Sequence, residues 1–140
     1  MAKIAIMGFG TVGSGVLEVC RRNAASIARR AGEPVEVKYI LDVRDFSGSP
    51  DAALFTKSID TILNDPEIKV VVETIGGTKF AYPYVRQCLE SGRSVCTSNK
   101  EMVACNVEYL VKLWRTRLVS LCHQEHLLQR KLLRLGVNAK

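Results

Sequence analysis

The sequence is poor in several things at once, and each shortage excludes a class of protein. It contains no run of about 18 consecutive apolar residues, the length a membrane-spanning helix requires. Its five cysteines (Cys20, Cys88, Cys96, Cys105 and Cys122) include no C-x-x-C pair, and an odd count without framework spacing argues against a disulfide scaffold. Cys20 and Cys96 fall in apolar patterns and are read as small buried hydrophobes. The start, Met1-Ala2-Lys3, leads directly into Ile4-Ala5-Ile6 without the pattern of a secretory leader, so a cytoplasmic location is expected. With 47% hydrophobic and 24% charged residues, the 140-residue chain has the composition of one globular domain, not of a disordered chain.

Charge is unevenly spread. The formal net charge is +6, yet residues 115–140 carry Arg115, Arg117, Arg130, Lys131, Arg134 and Lys140 against Glu125 alone. Both histidines, His123 and His126, also fall there. The basicity therefore belongs to the tail, and the first 114 residues are nearly neutral.

Those 114 residues alternate strand-like and helix-like segments. Lys3–Met7 is a short apolar strand, and Thr11 to Arg30 has helical spacing of Val12, Val16, Val19, Cys20 and Ile27. Glu36–Val43 reads as a second strand, with a loop over residues 45–53. Ser58–Leu63 reads as a short helix capped by Ser58. Lys69–Glu73 is a third strand whose valine run predicts burial on both faces. Phe80 to Ser91 is a helix closed by Gly92, Ser94–Thr97 a fourth strand, and Glu101–Trp114 a further helix. The order predicts an α/β fold, a doubly wound parallel sheet with right-handed crossovers, incomplete at its C-terminal side. Leucines at 118, 121, 127, 128, 132, 133 and 135 give residues 115–140 the spacing of an amphipathic helix, the alternative being a disordered end, where the alternation would call for a strand.

Gly8-Phe9-Gly10-Thr11-Val12-Gly13 follows the first strand and opens the first helix, the context in which a G-x-G-x-x-G sequence binds a dinucleotide. The first glycine permits the tight turn, the second lets backbone approach a pyrophosphate, and the third lets helix pack on strand. The helix start offers free N–H groups and the positive end of its dipole to the phosphates. The end of the second strand selects the cofactor: a carboxylate suits the ribose hydroxyls of NAD, an arginine the 2′-phosphate of NADP. Asp42, Val43, Arg44 and Asp45 leave both open, with Arg44 favouring NADP. Thr74, Ile75, Gly76 and Gly77 follow the third strand, and Ser98, Asn99 and Lys100 follow the fourth, at the edge where such sheets hold ligands. Lys100 there could polarise a carbonyl or protonate an alkoxide. Cys122, His123 and His126 match no standard metal spacing, and no metal is expected.

Three separated motifs, IAIMGFGTVGSGV, VVVETIGG and VCTSNKEMVA, together resemble the N-terminal part of homoserine dehydrogenase over residues 2–114. The resemblance implies a Rossmann-type domain binding NADP or NAD and, in the whole enzyme, reversible hydride transfer between homoserine and aspartate semialdehyde. It implies Gly8, Phe9, Gly10, Thr11, Val12 and Gly13 as the phosphate loop, Arg44 at the adenosine end, and Thr74, Ile75 and Gly76 beside the nicotinamide. It makes Asn99 and Lys100 the family's Asn-Lys pair, with Lys100 as the catalytic residue. Residues 115–140 do not resemble the family's continuation into its substrate and dimerisation domain. The expectation is a truncated, frame-shifted or alternatively spliced product that binds cofactor but is inactive alone, its uncovered sheet edge open to self-association. The competing reading is a non-catalytic nucleotide-binding or partner-binding protein that uses the tail helix as its contact surface. Nucleic-acid binding is not expected, because no aromatic residue accompanies the tail's charges.

Overall fold

The computed structural model describes residues 1–116 and 121–122. Strand β1 (Ala2–Met7) is the centre of the molecule. Ile4, Ala5, Ile6 and Met7 are all buried, so the strand is covered on both faces. Its side chains alternate between two cores. Ala5 and Met7 join Val71, Val85, Leu89, Met102 and Leu110 on one face. Ile4 and Ile6 join Leu17, Val37 and Ile40 on the other.

Two strands flank β1 in parallel: β2 (Val35–Leu41) on one side and, reached much later in the chain, Ile68–Glu73 on the other. A two-residue strand, β3 (Phe55–Thr56), extends the sheet beyond β2. With Ile68–Glu73 as β4, the far side continues through β5 (Ser94–Thr97) to β6 (Leu121–Cys122). The order is β3-β2-β1-β4-β5-β6 and every pairing is parallel. This is the doubly wound Rossmann-type sheet expected from the sequence. The chain leaves β1 in one direction and resumes on its other side at β4, which opens a crevice at the carboxyl ends of these two strands.

The helices fill the crossovers. The expected single helix from Thr11 to Arg30 is two: α1 (Thr11–Arg22) and α2 (Ala24–Ala31). Asn23 sits between them outside helical geometry, donating its N–H to Val19 O and accepting from Ile27 N. One residue of interruption leaves the three- and four-residue apolar spacing nearly intact, so periodicity alone did not reveal it. The short α3 (Ile59–Leu63) begins with Ser58 Oγ accepting from Asp60 N at 3.2 Å, the cap read from the sequence. Helix α4 (Ala81–Glu90) ends in a Schellman motif: Gly92 N–H donates to Leu89 O, and Arg93 N–H to Cys88 O, both at 3.0 Å. Gly92, at φ +86°, supplies the left-handed turn. The expected Glu101–Trp114 helix is again two, α5 (Lys100–Cys105) and α6 (Val107–Thr116), divided at Asn106.

Other differences concern the ends and the cysteines. Leu121–Cys122 pairs with β5, so these two residues are strand and not the helix expected from the leucine spacing. The remainder of the expected tail helix, and the His123 and His126 pair, lie outside the described residues. Cys88 is the buried cysteine on α4, while Cys20 and Cys96, expected to be buried, are half-buried. No helix among the described residues is long and apolar enough to cross a membrane.

Candidate functional site

The glycine sequence turns the chain from β1 into α1, and each glycine has a different physical reason. Gly8 adopts φ +91°, and a Cβ there would meet the backbone of Thr74 and Ile75 at 3.0 Å. At Gly13 a Cβ would lie 2.0 Å from Gly8 O, so only glycine lets α1 pack on the turn. Gly10 differs from both. Its φ is −84°, and a Cβ there would meet nothing within 4 Å. Among the described residues nothing requires glycine at Gly10, which leaves open space facing the first turn of α1. That turn has no side-chain cap and no acidic residue, so its free amides and the helix dipole present a positive end.

The turn is held from behind. Thr74, first residue after β4, donates its N–H to Met7 O at 2.8 Å and its hydroxyl to Gly8 O at 2.8 Å. Gly8 N–H donates to Leu41 O at 2.8 Å. The three strand ends β2, β1 and β4 are therefore pinned together by backbone and one hydroxyl.

Two clefts open from this point. The first, about 300 Å³, lies between the glycine turn, Leu41–Arg44 and the side chains of Ile75, Phe80 and Tyr84. Its apolar rim is unusually wet: Val43 is 75% and Phe80 64% exposed, the kind of surface a bound group would cover. Asp42, its side chain only 7% exposed, stands at the corner. It accepts from Phe9 N–H at 2.8 Å and from Arg44 N–H, Nε and Nη2 at 2.9–3.0 Å. The Arg44 guanidinium first, with the Arg44 and Phe9 amides, holds the carboxyl down at about 2 against the opposing effect of burial. Arg44 also lies over the Phe46 ring, 5.2 Å from its centroid. Phe46 stacks on Phe55 at 4.3 Å, and Phe9 meets both edge-on. Asp45 is not part of the lining of this cleft and accepts from Ser47 N–H and hydroxyl.

The second cleft lies on the other side of the α1 start, walled by Val12, Glu73, Thr74, Gly76, and Ser98–Glu101. Glu73 is buried, 1% exposed. Its Oε1 accepts from Ile75 N–H at 2.7 Å and Gly76 N–H at 3.2 Å; its Oε2 accepts from the Thr97 hydroxyl at 2.5 Å. Asn99 Oδ1 caps α5 by accepting from Met102 N–H, while Asn99 Nδ2 donates to Gly77 O at 2.5 Å. Gly76 and Gly77 have φ of +79° and +65°, two successive left-handed residues held between these groups. Lys100 is exposed at the first position of α5.

The family model for the NAD-binding domain of homoserine dehydrogenase matches residues 8–123. The chain belongs to this family. It is 42% identical over 107 residues to homoserine dehydrogenase of Pseudomonas aeruginosa, covering 73% of this chain and 24% of that enzyme. The homoserine dehydrogenase of Methylobacillus glycogenes is 35% identical over 119 residues, 81% of this chain and 28% of that enzyme. Among solved structures, a homoserine dehydrogenase from Thiobacillus denitrificans superposes with a TM-score of 0.78 at 35% identity, over 86% of this chain and 28% of that one. The S. aureus homoserine dehydrogenase at pH 7.0 gives 0.76 at 29% identity, over 87% and 32%. The chain thus spans about a quarter of the length of the curated relatives. The family match runs to residue 123, past the Trp114 limit that the motifs suggested, and so takes in β6.

Within this homoserine dehydrogenase domain the structure brings the expected residues to one edge of the sheet. Gly8, Phe9, Gly10, Arg44, Thr74 and Ile75 line the first cleft. Val12, Thr74, Gly76, Asn99 and Lys100 line the second, with Thr74 common to both. Thr11 and Gly13 stand in the first turn of α1, the latter buried against Gly8. Sequence reasoning missed Glu73 as a clamp, although a carboxylate ending a valine strand is a visible signal. It also missed Phe80, the residue just before α4, and Tyr84 on α4, which both line the first cleft.

Proposed function

We propose that this chain is the cofactor-holding part of a homoserine dehydrogenase, the oxidoreductase that interconverts L-homoserine and L-aspartate 4-semialdehyde, and that its cofactor is NADP in preference to NAD. The observation that carries the reading is Gly10: open space lies above it at the uncapped start of the twelve-residue helix α1, beside the first cleft, and Thr74 just behind the turn lines both clefts. A diphosphate fits that junction by charge, through the free amides and the dipole of α1. The residues present suit the rest of a dinucleotide. Val43, Ile75, Phe80 and Tyr84 offer an apolar slot for adenine, and the Asn99–Lys100 side offers room for the nicotinamide.

Arg44 supports the preference for NADP. It is exposed, it lies over the Phe46 ring, and its present partner Asp42 already accepts from Phe9 N–H and Arg44 N–H. A 2′-phosphate would compete for the guanidinium alone. With Asp42 committed to the glycine turn, the carboxylate is poorly free to receive ribose hydroxyls as NAD binding requires.

When bound, the nicotinamide supplies the hydride acceptor or donor for the alcohol–aldehyde couple. Lys100 is the residue of this chain that would hold or move the proton at the reacting oxygen. These 140 residues by themselves hold cofactor without turnover, because hydride transfer also needs the substrate fixed at near-attack distance. Calorimetric titration tests the reading: the chain binds NADP more tightly than NAD, and Arg44→Ala weakens NADP by about tenfold or more, the worth of a charge-assisted contact. Absence of heat with either dinucleotide at millimolar concentration overturns it. Steady loss of NADPH absorbance on addition of aspartate semialdehyde to the isolated chain would overturn the inactivity alone.

A further inference from the structure

Glu73 is a buried carboxylate whose two oxygens both act as acceptors, from Ile75 N–H, Gly76 N–H and the Thr97 hydroxyl. All three donors are neutral dipoles, and among the described residues no salt bridge includes Glu73. Burying a charge without a counter-ion is costly. Clamping the 75–77 turn does not need that charge, since a neutral amide side chain accepts the same backbone donors. The hydrogen-bonded ring through Thr97, Asn99 and Gly77 fixes the carboxylate in place: Thr97 Oγ1 accepts from Asn99 N–H at 3.0 Å, and Asn99 Nδ2 holds Gly77 O. The Glu73 carboxyl therefore stands at a set position on the wall of the second cleft.

We propose that Glu73 gives the nicotinamide end of the cleft a fixed negative charge, so that it takes the oxidised, positively charged ring in preference to the neutral reduced one. This deepens the cofactor reading above and rests on it. Two other charges line the same cleft, Lys100 and Glu101, and both are exposed. They are of opposite sign and screened by water, whereas Glu73 acts through a dry wall where the field is stronger. The hydrogen bonds to Glu73 orient the charge without cancelling it. Glu73 is a positioning and charge-setting residue; Lys100 remains the group that reaches the substrate.

The experiment is calorimetric titration of the full 140-residue chain and of Glu73→Gln with NADP⁺, NADPH and adenosine 2′,5′-bisphosphate, which carries no nicotinamide. The wild-type chain binds NADP⁺ more tightly than NADPH. Glu73→Gln lowers that ratio by roughly fivefold or more, the order expected of one charge near a partly buried site, while its affinity for the bisphosphate stays that of wild type. A merely structural role would lower all three affinities together, and that outcome overturns the proposal. So does a Glu73→Gln chain that keeps the wild-type ratio. If the variant does not fold, the wild-type chain alone decides: equal or tighter binding of NADPH refutes the proposal. A wild-type chain that binds neither dinucleotide refutes the cofactor reading instead.

Discussion

Gly10 and Gly13 lie one helical turn apart and serve opposite purposes. A methyl group at Gly13 collides with Gly8 O, a main-chain atom that cannot swing aside. Gly13→Ala therefore lowers stability by roughly 1–3 kcal/mol, the usual cost of overpacking. A methyl group at Gly10 meets only solvent. Gly10→Ala changes stability by at most about 1 kcal/mol, as at other helix starts, yet fills the space the diphosphate needs and weakens dinucleotide binding by at least about tenfold. Urea denaturation read beside calorimetry separates the two; equal loss of stability at both positions would contradict the assignment. The glycine pattern was legible at this scale because it depends only on neighbours in sequence. Asp42 was not. The sequence offered it as a ribose ligand; what it could not show is that Asp42 also accepts from Phe9 N–H, thirty-three residues away, besides its neighbour Arg44. Asn99 is similar: both ends of its amide are committed to Gly77 and Met102.

Elements were legible where a local signal marks their ends. Ser58 and Gly92 are such signals, since a side-chain cap and a left-handed glycine act within one turn. The end of α4 carries a direct expectation: Gly92→Ala places a Cβ at φ +86° and costs about 1–2 kcal/mol, the penalty of the left-handed region. An unchanged urea midpoint would show that the turn relaxes. Breaks at Asn23 and Asn106 were invisible because a single non-helical residue barely disturbs the apolar phase. Strand β3 was invisible because two residues carry no period, and only β2 beside it makes Phe55–Thr56 a strand. Arg93 shows the same limit. It is buried, with Nη2 donating to Leu63 O and Asp65 O at 3.0 and 2.8 Å. A basic residue joining the ends of two helices in this way follows from tertiary packing, not from its neighbours in sequence.

At the scale of the whole fold, two carboxyls among the described residues tie stability to acid. Asp42 is held at about 2 chiefly by Arg44, and Asp65 at about 2 chiefly by Lys38. Both lie below the ordinary 3.8, so each favours the folded state above about pH 4, and the contribution disappears as pH falls from there through 2. Asp42→Asn removes one of these proton-linked contributions. Circular dichroism against pH in mild urea will then show a shallower loss of structure between pH 4 and 2; coincident curves for the two chains would disprove the linkage.

The all-parallel sheet also dictates an order of events during synthesis. No two neighbouring strands can close as a hairpin, because each pairing awaits a crossover. Ile4–Met7 emerges first, receives β2 only after residue 41, and stays open along its other side until residues 68–73 leave the ribosome. For most of the time needed to make half the chain, its most apolar strand waits with one edge bare, and such edges are where nascent proteins pair with the wrong partner.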